Sequence, residues 1–157
     1  MIDVINLQRK LKLETSVFKT YVKELSASVE EAEASSFSVA LVSDRRMTEL
    51  NKLFRGKDST TDVLSFPHEP DEFEGMSDGF NRSADRTSGS VTVAFLGDIV
   101  ISAEQAAKQA KENKLSLDGE IKQLILHGLL HLCGYDHETD KGEMNKRELA
   151  LRKQLKI

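Results

Sequence analysis

Apolar residues fall in short runs and helical stripes along the chain, and their spacing predicts most of its elements. IDVIN (2–6) is short, apolar and β-branched, and reads as a strand. From Ser16 to Leu25, the residues Phe18, Tyr21, Val22 and Leu25 recur at helical spacing. SFSVALV (36–42) reads as a buried strand. A second helix is expected from near Asp44, an N-cap candidate before Arg45, with Met47, Leu50 and Phe54 on its apolar face. DVLSF (62–66) reads as a third strand closed by Pro67. VAFLGDIVI (93–101) reads as a fourth, interrupted by Gly97, and a glycine inside a strand marks a bulge or a close approach.

The second half of the chain turns helical. Ser102 is an N-cap candidate, with Gln105 three residues on to complete a capping box ahead of AEQAAKQAKEN. Ser116 opens another helix, which should stop at Gly134. A last helix is expected from Asp140, with Glu143 completing a second capping box and Met144, Leu151 and Leu155 as its apolar stripe. Between the third and fourth strands, the 25 residues 68–92 are rich in Glu, Asp, Gly and Ser, an unusually long loop for a compact domain. The order predicts an α/β domain: one mixed sheet of about four strands packed with about five helices.

Composition narrows this picture. At 157 residues the chain fits a single domain over 1–157, and 39% hydrophobic content suffices for a core. No run approaches the ~18 apolar residues of a membrane helix. No signal peptide is expected from MIDVINLQRKLKLETS. The lone Cys133 excludes an internal disulfide and points to a reducing cytoplasm. A net charge of -4 argues against a general nucleic-acid coat protein, while leaving room for a local basic site.

The chemistry concentrates in HGLLHLCGYDH, which holds three of the four histidines. His127 and His131 are i and i+4, about 40° apart on one helical face. Gly134 can take a positive φ, turn the chain back and bring His137 to the same point. Three neutral imidazoles leave a tetrahedral Zn²⁺ one open position, the arrangement of a catalytic rather than a structural zinc. Cys133 is set about 200° round the helix from His131 and reads as a small buried hydrophobe. His68 reads as a loop histidine. The spacing H-x3-H-x2-G-x2-H is that of metzincin proteases, but Gly128 stands where those enzymes carry their glutamate base. Asp136 and Glu138 are the nearby acids; either could substitute as the base, or serve instead as a hydrogen-bond partner of a ligand or a solvated charge.

These residues resemble a known family. HGLLHLCGYDH is similar to the H-G-x-L-H-L-x-G-Y-D-H signature of the YbeY family of bacterial rRNA maturation endoribonucleases. LNKLFRGKDSTTDVLSFP (50–67) resembles that family's N-x-x-F-R-x-x-D-x-P-T-D-V-L-S-F segment, and LGDIVIS (96–102) its L-G-D-I-x-I-S strand. Two departures stand out: Thr60 replaces the usual proline, which should loosen the approach to the third strand, and the 68–92 loop is longer than usual. The resemblance implies a single-strand-specific, metal-dependent endoribonuclease that matures ribosomal RNA, chiefly the small-subunit 3′ end, and serves ribosome quality control. It implies zinc on His127, His131 and His137, and a functional arginine at Arg55. It also implies ribosomal RNA and the small ribosomal subunit as partners, with a small-subunit ribosomal protein and an assembly GTPase as further candidates and no membrane.

The residues themselves bear on this. Cleavage of RNA develops negative charge on phosphoryl oxygens, which positive groups must hold. Arg45, Arg46, Lys52, Arg55 and Lys57 are clustered, offset in part by Asp44, Glu49 and Asp58. Arg55, at the predicted helix end, could grip a phosphate bidentately, with Lys57 beside it. Asp62 and Asp98 lie at or within strands, where each is either a site-facing acid that orients a ligand or water, or a structural anchor. Cleavage should depend on Arg55 and His127, with zinc polarising a phosphoryl oxygen or supplying hydroxide; the nucleophile, water or the 2′-OH, is open. Two competing functions are a zinc peptidase and a non-catalytic assembly factor whose metal staples the fold.

Overall fold

The structure, a computed structural model, describes residues 3–33, 35–68 and 94–157. The expected loop therefore lies, from residue 69 onward, outside the described residues, as do Ile2 and Val93 of the expected first and fourth strands.

Strand β1 (Asp3–Asn6) leads to helix α1 (Thr15–Ser28), a short 3-10 turn (Glu30–Ala32) and β2 (Ser35–Val42). Helix α2 (Asp44–Arg55), β3 (Val63–Pro67) and β4 (Ala94–Ser102) follow. The chain then runs through α3 (Ala103–Asn113), α4 (Leu117–Leu132) and α5 (Glu143–Leu155). The four strands form one mixed sheet in the order β1-β2-β4-β3, with β1, β2 and β4 parallel and β3 antiparallel to β4. Among the described residues no helix is long and apolar enough to cross a membrane.

Period-two alternation divides the sheet into two faces. Phe37, Val39, Leu41, Ile99 and Ile101 point to the main core, shared with α1, α4 and α5. Val42, Leu64 and Val100 point the other way, to a small cluster under Met47 of α2. Helix α4 is buried over most of its circumference, from Ile121 to Leu132, so it is the central helix rather than a surface one. Gly128 explains how closely it sits: a Cβ there would come within 2.8 Å of Ile99 Cγ2 and 3.2 Å of Ser65 Oγ. Ser65 Oγ donates to the Gly128 carbonyl at 3.1 Å, sewing β3 to the same turn of helix.

Gly97 shows both behaviours expected of a strand glycine. The β2–β4 register slips beside it, so that Ser36 pairs with Phe95 but Phe37 with Gly97. Its φ of 140° is one that side-chain-bearing residues rarely adopt, and a Cβ would collide with the Phe66 carbonyl.

Several boundaries differ from the spacing argument. Ser43, not Asp44, caps α2, its hydroxyl accepting from the Arg46 N–H. Asp44 serves another purpose: its carboxylate accepts hydrogen bonds from Ser102 Oγ (2.6 Å), Gln105 Nε2 (2.9 Å) and Thr60 Oγ1 (2.9 Å). Gln105 thus completes no capping box, although Ser102 does cap α3. Thr60 makes a bond that proline could not, tying the approach to β3 to Asp44. Phe54 leaves the apolar face of α2; it is 60% exposed and meets Phe66 edge-on at 5.0 Å, while Asn51 takes the buried place. Helix α5 begins at Glu143, with Gly142 as its cap residue; Asp140 stands outside it and accepts from the Gly142 and Met144 N–H groups.

Candidate metal centre

The end of α4 builds the site. Tyr135 N–H donates to the Leu130 carbonyl and Gly134 N–H to the His131 carbonyl, both at 3.1 Å, with Gly134 at φ 102°. This is a Schellman turn, and it closes the helix while sending the chain back across its own last turn. Asp136 then accepts from Glu138 N–H through its side chain and from Asp140 N–H through its carbonyl, which shapes the loop carrying His137. The result places donor atoms of His127, His131 and His137 within 4.8 Å of one another. Their rings are 4.8 to 5.5 Å apart and tilted against each other, as convergent ligands rather than a stack.

Two of the rings are held from behind. His127 Nδ1–H donates to Glu148 Oε1 at 2.7 Å, and Arg152 donates to Glu148 Oε2 at 2.8 Å. His131 Nδ1–H donates to the Tyr135 carbonyl at 3.0 Å. Each contact settles the tautomer and leaves Nε2 as the free lone pair. Burial first, then the neighbouring His127 and His137, hold His131 below the usual histidine range. At neutral pH it is therefore an uncharged ligand. Burial pushes the Glu148 carboxyl up, but the hydrogen bond and charge of His127 and the charge of Arg152 outweigh it and leave the group below the ordinary glutamate range. Three convergent imidazoles, two of them oriented from behind and His131 uncharged, fit a divalent metal ion.

The histidines open onto a cleft of about 640 Å³ whose wall includes Arg55, Asp62, Ser65 and Tyr135. Arg55 is the last residue of α2, where Gly56 at φ 69° turns the chain. Helix end and metal centre thus share one cleft although 72 residues separate Arg55 from His127. Lys57 is exposed just beyond that turn and does not form part of the wall. Asp62 forms part of the wall but accepts from Val63 N–H, Thr61 Oγ1 and Gln109 Nε2, not from a histidine. Asp136 is likewise engaged by the backbone of its own loop. Asp98 stands apart: it is exposed, paired with Ser38 Oγ and placed on the sheet face opposite α4. His68 packs against Phe95 at 5.4 Å and is not among the clustered histidines. Cys133 is half-buried against the core, where burial pushes its thiol up to about 11.

Sequence reasoning did not single out Glu148. One signal was present: Glu148 lies four residues after Met144 and three before Leu151, a carboxylate on the apolar stripe of its helix. A charge in that position needs a partner inside. The packing role of Gly128 was equally hidden, since only the tertiary approach of Ile99 reveals it.

Comparison with known proteins agrees with this geometry. The family model described as Endoribonuclease YbeY matches residues 3–156. The chain is similar to the Endoribonuclease YbeY of Nautilia profundicola, at 46% identity over 74% of this chain and 70% of that protein. It is 34% identical to the one of Thermodesulfovibrio yellowstonii, over 92% of this chain and 89% of its relative. The solution structure of a Thermotoga maritima protein superposes with a TM-score of 0.59 at 25% identity, covering 96% of this chain and 85% of that one. With a family match spanning nearly every residue, and histidines set to converge on a metal, the chain belongs to the YbeY family of endoribonucleases.

Proposed function

We propose that this protein is a single-strand-specific, zinc-dependent endoribonuclease that acts in the cytoplasm on ribosomal RNA, trimming the small-subunit 3′ end and contributing to ribosome quality control. One observation carries the reading: three convergent histidines and the guanidinium-bearing Arg55 line the same cleft. Zinc, when bound, supplies Lewis acidity and lowers the pKa of a coordinated water. The chain's own groups do the rest. Arg55 grips the scissile phosphate and offsets the charge that develops on its oxygens. Lys57, outside the wall, attracts the incoming strand. Glu148 and the Tyr135 carbonyl keep His127 and His131 in register. The small ribosomal subunit is the natural setting for this substrate, with a small-subunit ribosomal protein and an assembly GTPase as candidate partners.

The peptidase reading loses ground on packing. A Cβ at Gly128 would press on Ile99 and Ser65 of the sheet, so the position that holds the peptidase's glutamate has no room for one here.

The test uses zinc-loaded protein and a single-stranded RNA that carries the small-subunit 3′ end. Arg55→Ala should cut cleavage by about 100-fold, the usual effect of losing one charge-stabilising group, with metal content and helicity unchanged. His131→Ala should lose both metal and cleavage. If both variants cleave like the wild type, the reading fails. Cleavage retained in Arg55→Ala together with unfolding of His131→Ala would instead mark the metal as a structural staple.

A further inference from the structure

A second cavity, of about 560 Å³, adjoins the histidine cleft and shares Asp62 and His127 with it. From this geometry we infer a nucleobase subsite that takes the base beside the cleaved phosphate and favours bases with an exocyclic amino group. The inference rests on the nuclease reading above.

Helix α4 lays out the frame. Glu120, Gln123, His127 and His131 follow one another at spacings of three and four, so they share one face. With a rise of 1.5 Å per residue, Gln123 lies about 6 Å and Glu120 about 10 Å along the helix from His127. A strand whose phosphate sits at the histidines therefore has its neighbouring base over this stretch.

The chemistry of the wall suits a base and not a phosphate. Asp62, Glu120 and Glu148 bring three carboxylates against the single guanidinium of Arg152, which already serves Glu148. A phosphate is repelled there, whereas a neutral ring with donors and acceptors is not. Amides from Gln109, Asn113 and Gln123 supply both donors and acceptors, the groups that read base edges.

One carboxylate in the wall has room for a partner. Glu120 is only 3% exposed, yet among the described residues it accepts one hydrogen bond, from Asn113 Nδ2 at 3.1 Å. A buried carboxylate has capacity for several, and burying it short of donors is costly. An amino-bearing base uses that capacity, its N–H groups facing the carboxylate. Uracil offers no amino group.

The experiment compares zinc-loaded wild type, Glu120→Gln and Gln123→Ala on single-stranded RNAs that differ only beside the cleavage site, carrying A, C, G, U or an abasic residue. Gln123→Ala guards against a folding defect in Glu120→Gln, because Gln123 is half-buried and makes no hydrogen bond within the described residues. Wild type should favour the amino-bearing bases over U and the abasic site by about tenfold, within the range of one well-formed base contact. The preference should appear mainly in KM, disappear in Glu120→Gln and shrink in Gln123→Ala. Equal cleavage of all five RNAs by wild type, or an undiminished preference in both variants, overturns the subsite while leaving the nuclease standing. No cleavage of any RNA by wild type overturns the nuclease reading itself. Stoichiometric binding of a second metal ion, abolished by Glu120→Gln, overturns the subsite in favour of a cation site.

Discussion

Glu148 Oε1 lies 2.7 Å from His127 Nδ1, so a carboxylate on the last helix decides which nitrogen of the first histidine faces its two companions. Arg152 holds the other oxygen of the same carboxylate, which makes a chain of guanidinium, carboxylate and imidazole ending at the metal centre.

Glu148→Ala should therefore weaken metal binding by about 10- to 100-fold, the range seen when a ligand's supporting acceptor is removed. Competition against a chelating dye measures this directly. The effect should exceed that of Glu138→Ala, whose carboxylate stands nearer the histidines in sequence but supports none of them. Equal affinities in the two variants would remove Glu148 from its orienting role.

Gly128→Ala reverses a familiar rule. In an open helix the change stabilises by about 1 kcal/mol. Here the new Cβ falls 2.8 Å from Ile99 Cγ2. Overpacking of this kind costs about 1–3 kcal/mol, so the clash should win and thermal stability should fall. Adding Ile99→Ala should give a loss smaller than the sum of the two single changes, because the second substitution makes room for the first.

Acid should release a clasp behind the site. Glu31 accepts from Tyr135 Oη and, through both oxygens, from Arg147. The Arg147 hydrogen bond, then that of Tyr135, lowers its carboxyl from 4.5 to about 2 against the opposing effect of burial. A lowered carboxylate pKa stabilises the fold above about 4.5, and that stabilisation disappears as pH falls toward 2. Glu31→Gln should thus cost about 1 kcal/mol at neutral pH, in line with a largely solvated pair. Denaturant titrations of wild type and variant should converge between pH 4.5 and 2. A gap of constant size across that range would show that the charge is not the source.

The Asp44 hub offers a further test. Three hydroxyl and amide donors outweigh burial and hold its carboxyl below the usual aspartate range. Thr60→Val removes one donor and should cost about 1 kcal/mol. Thr60→Pro, which restores the residue common in the family, should be no more stable than Thr60→Val, since it too lacks the hydroxyl. Urea denaturation of both variants settles the comparison.

Much of the frame was legible because it is periodic. The stripe of α1 follows directly from burial on one side, and the apolar run of β2 from burial on both. The histidine triad was legible because its ligands fall within eleven consecutive residues and a helix-ending glycine fixes their geometry. What escaped depended on contacts distant in sequence. Glu148 reaches His127 across 21 residues, and Asp44 reaches Ser102 across 58. Asp98 shows an ambiguity of another kind: a strand carboxylate reads equally as a site-facing acid or as an anchor, and the pleat sends this one to the far face of the sheet, beside Ser38. Its parity relative to Ile99 contained that answer, once Ile99 was known to face α4.

The Schellman turn has a thermodynamic consequence. His131 contributes its carbonyl to the turn and its ring to the metal centre, while Tyr135 closes the turn through its N–H and restrains the ring through its carbonyl. The turn that ends the helix is thus also the turn that places the His131 ring, and both follow the burial of α4. To that extent, the conformational entropy of placing His131 is lost when the chain folds. A metal ion at this centre would meet one ligand already restrained by the fold, so less of its binding free energy would go into ordering the chain.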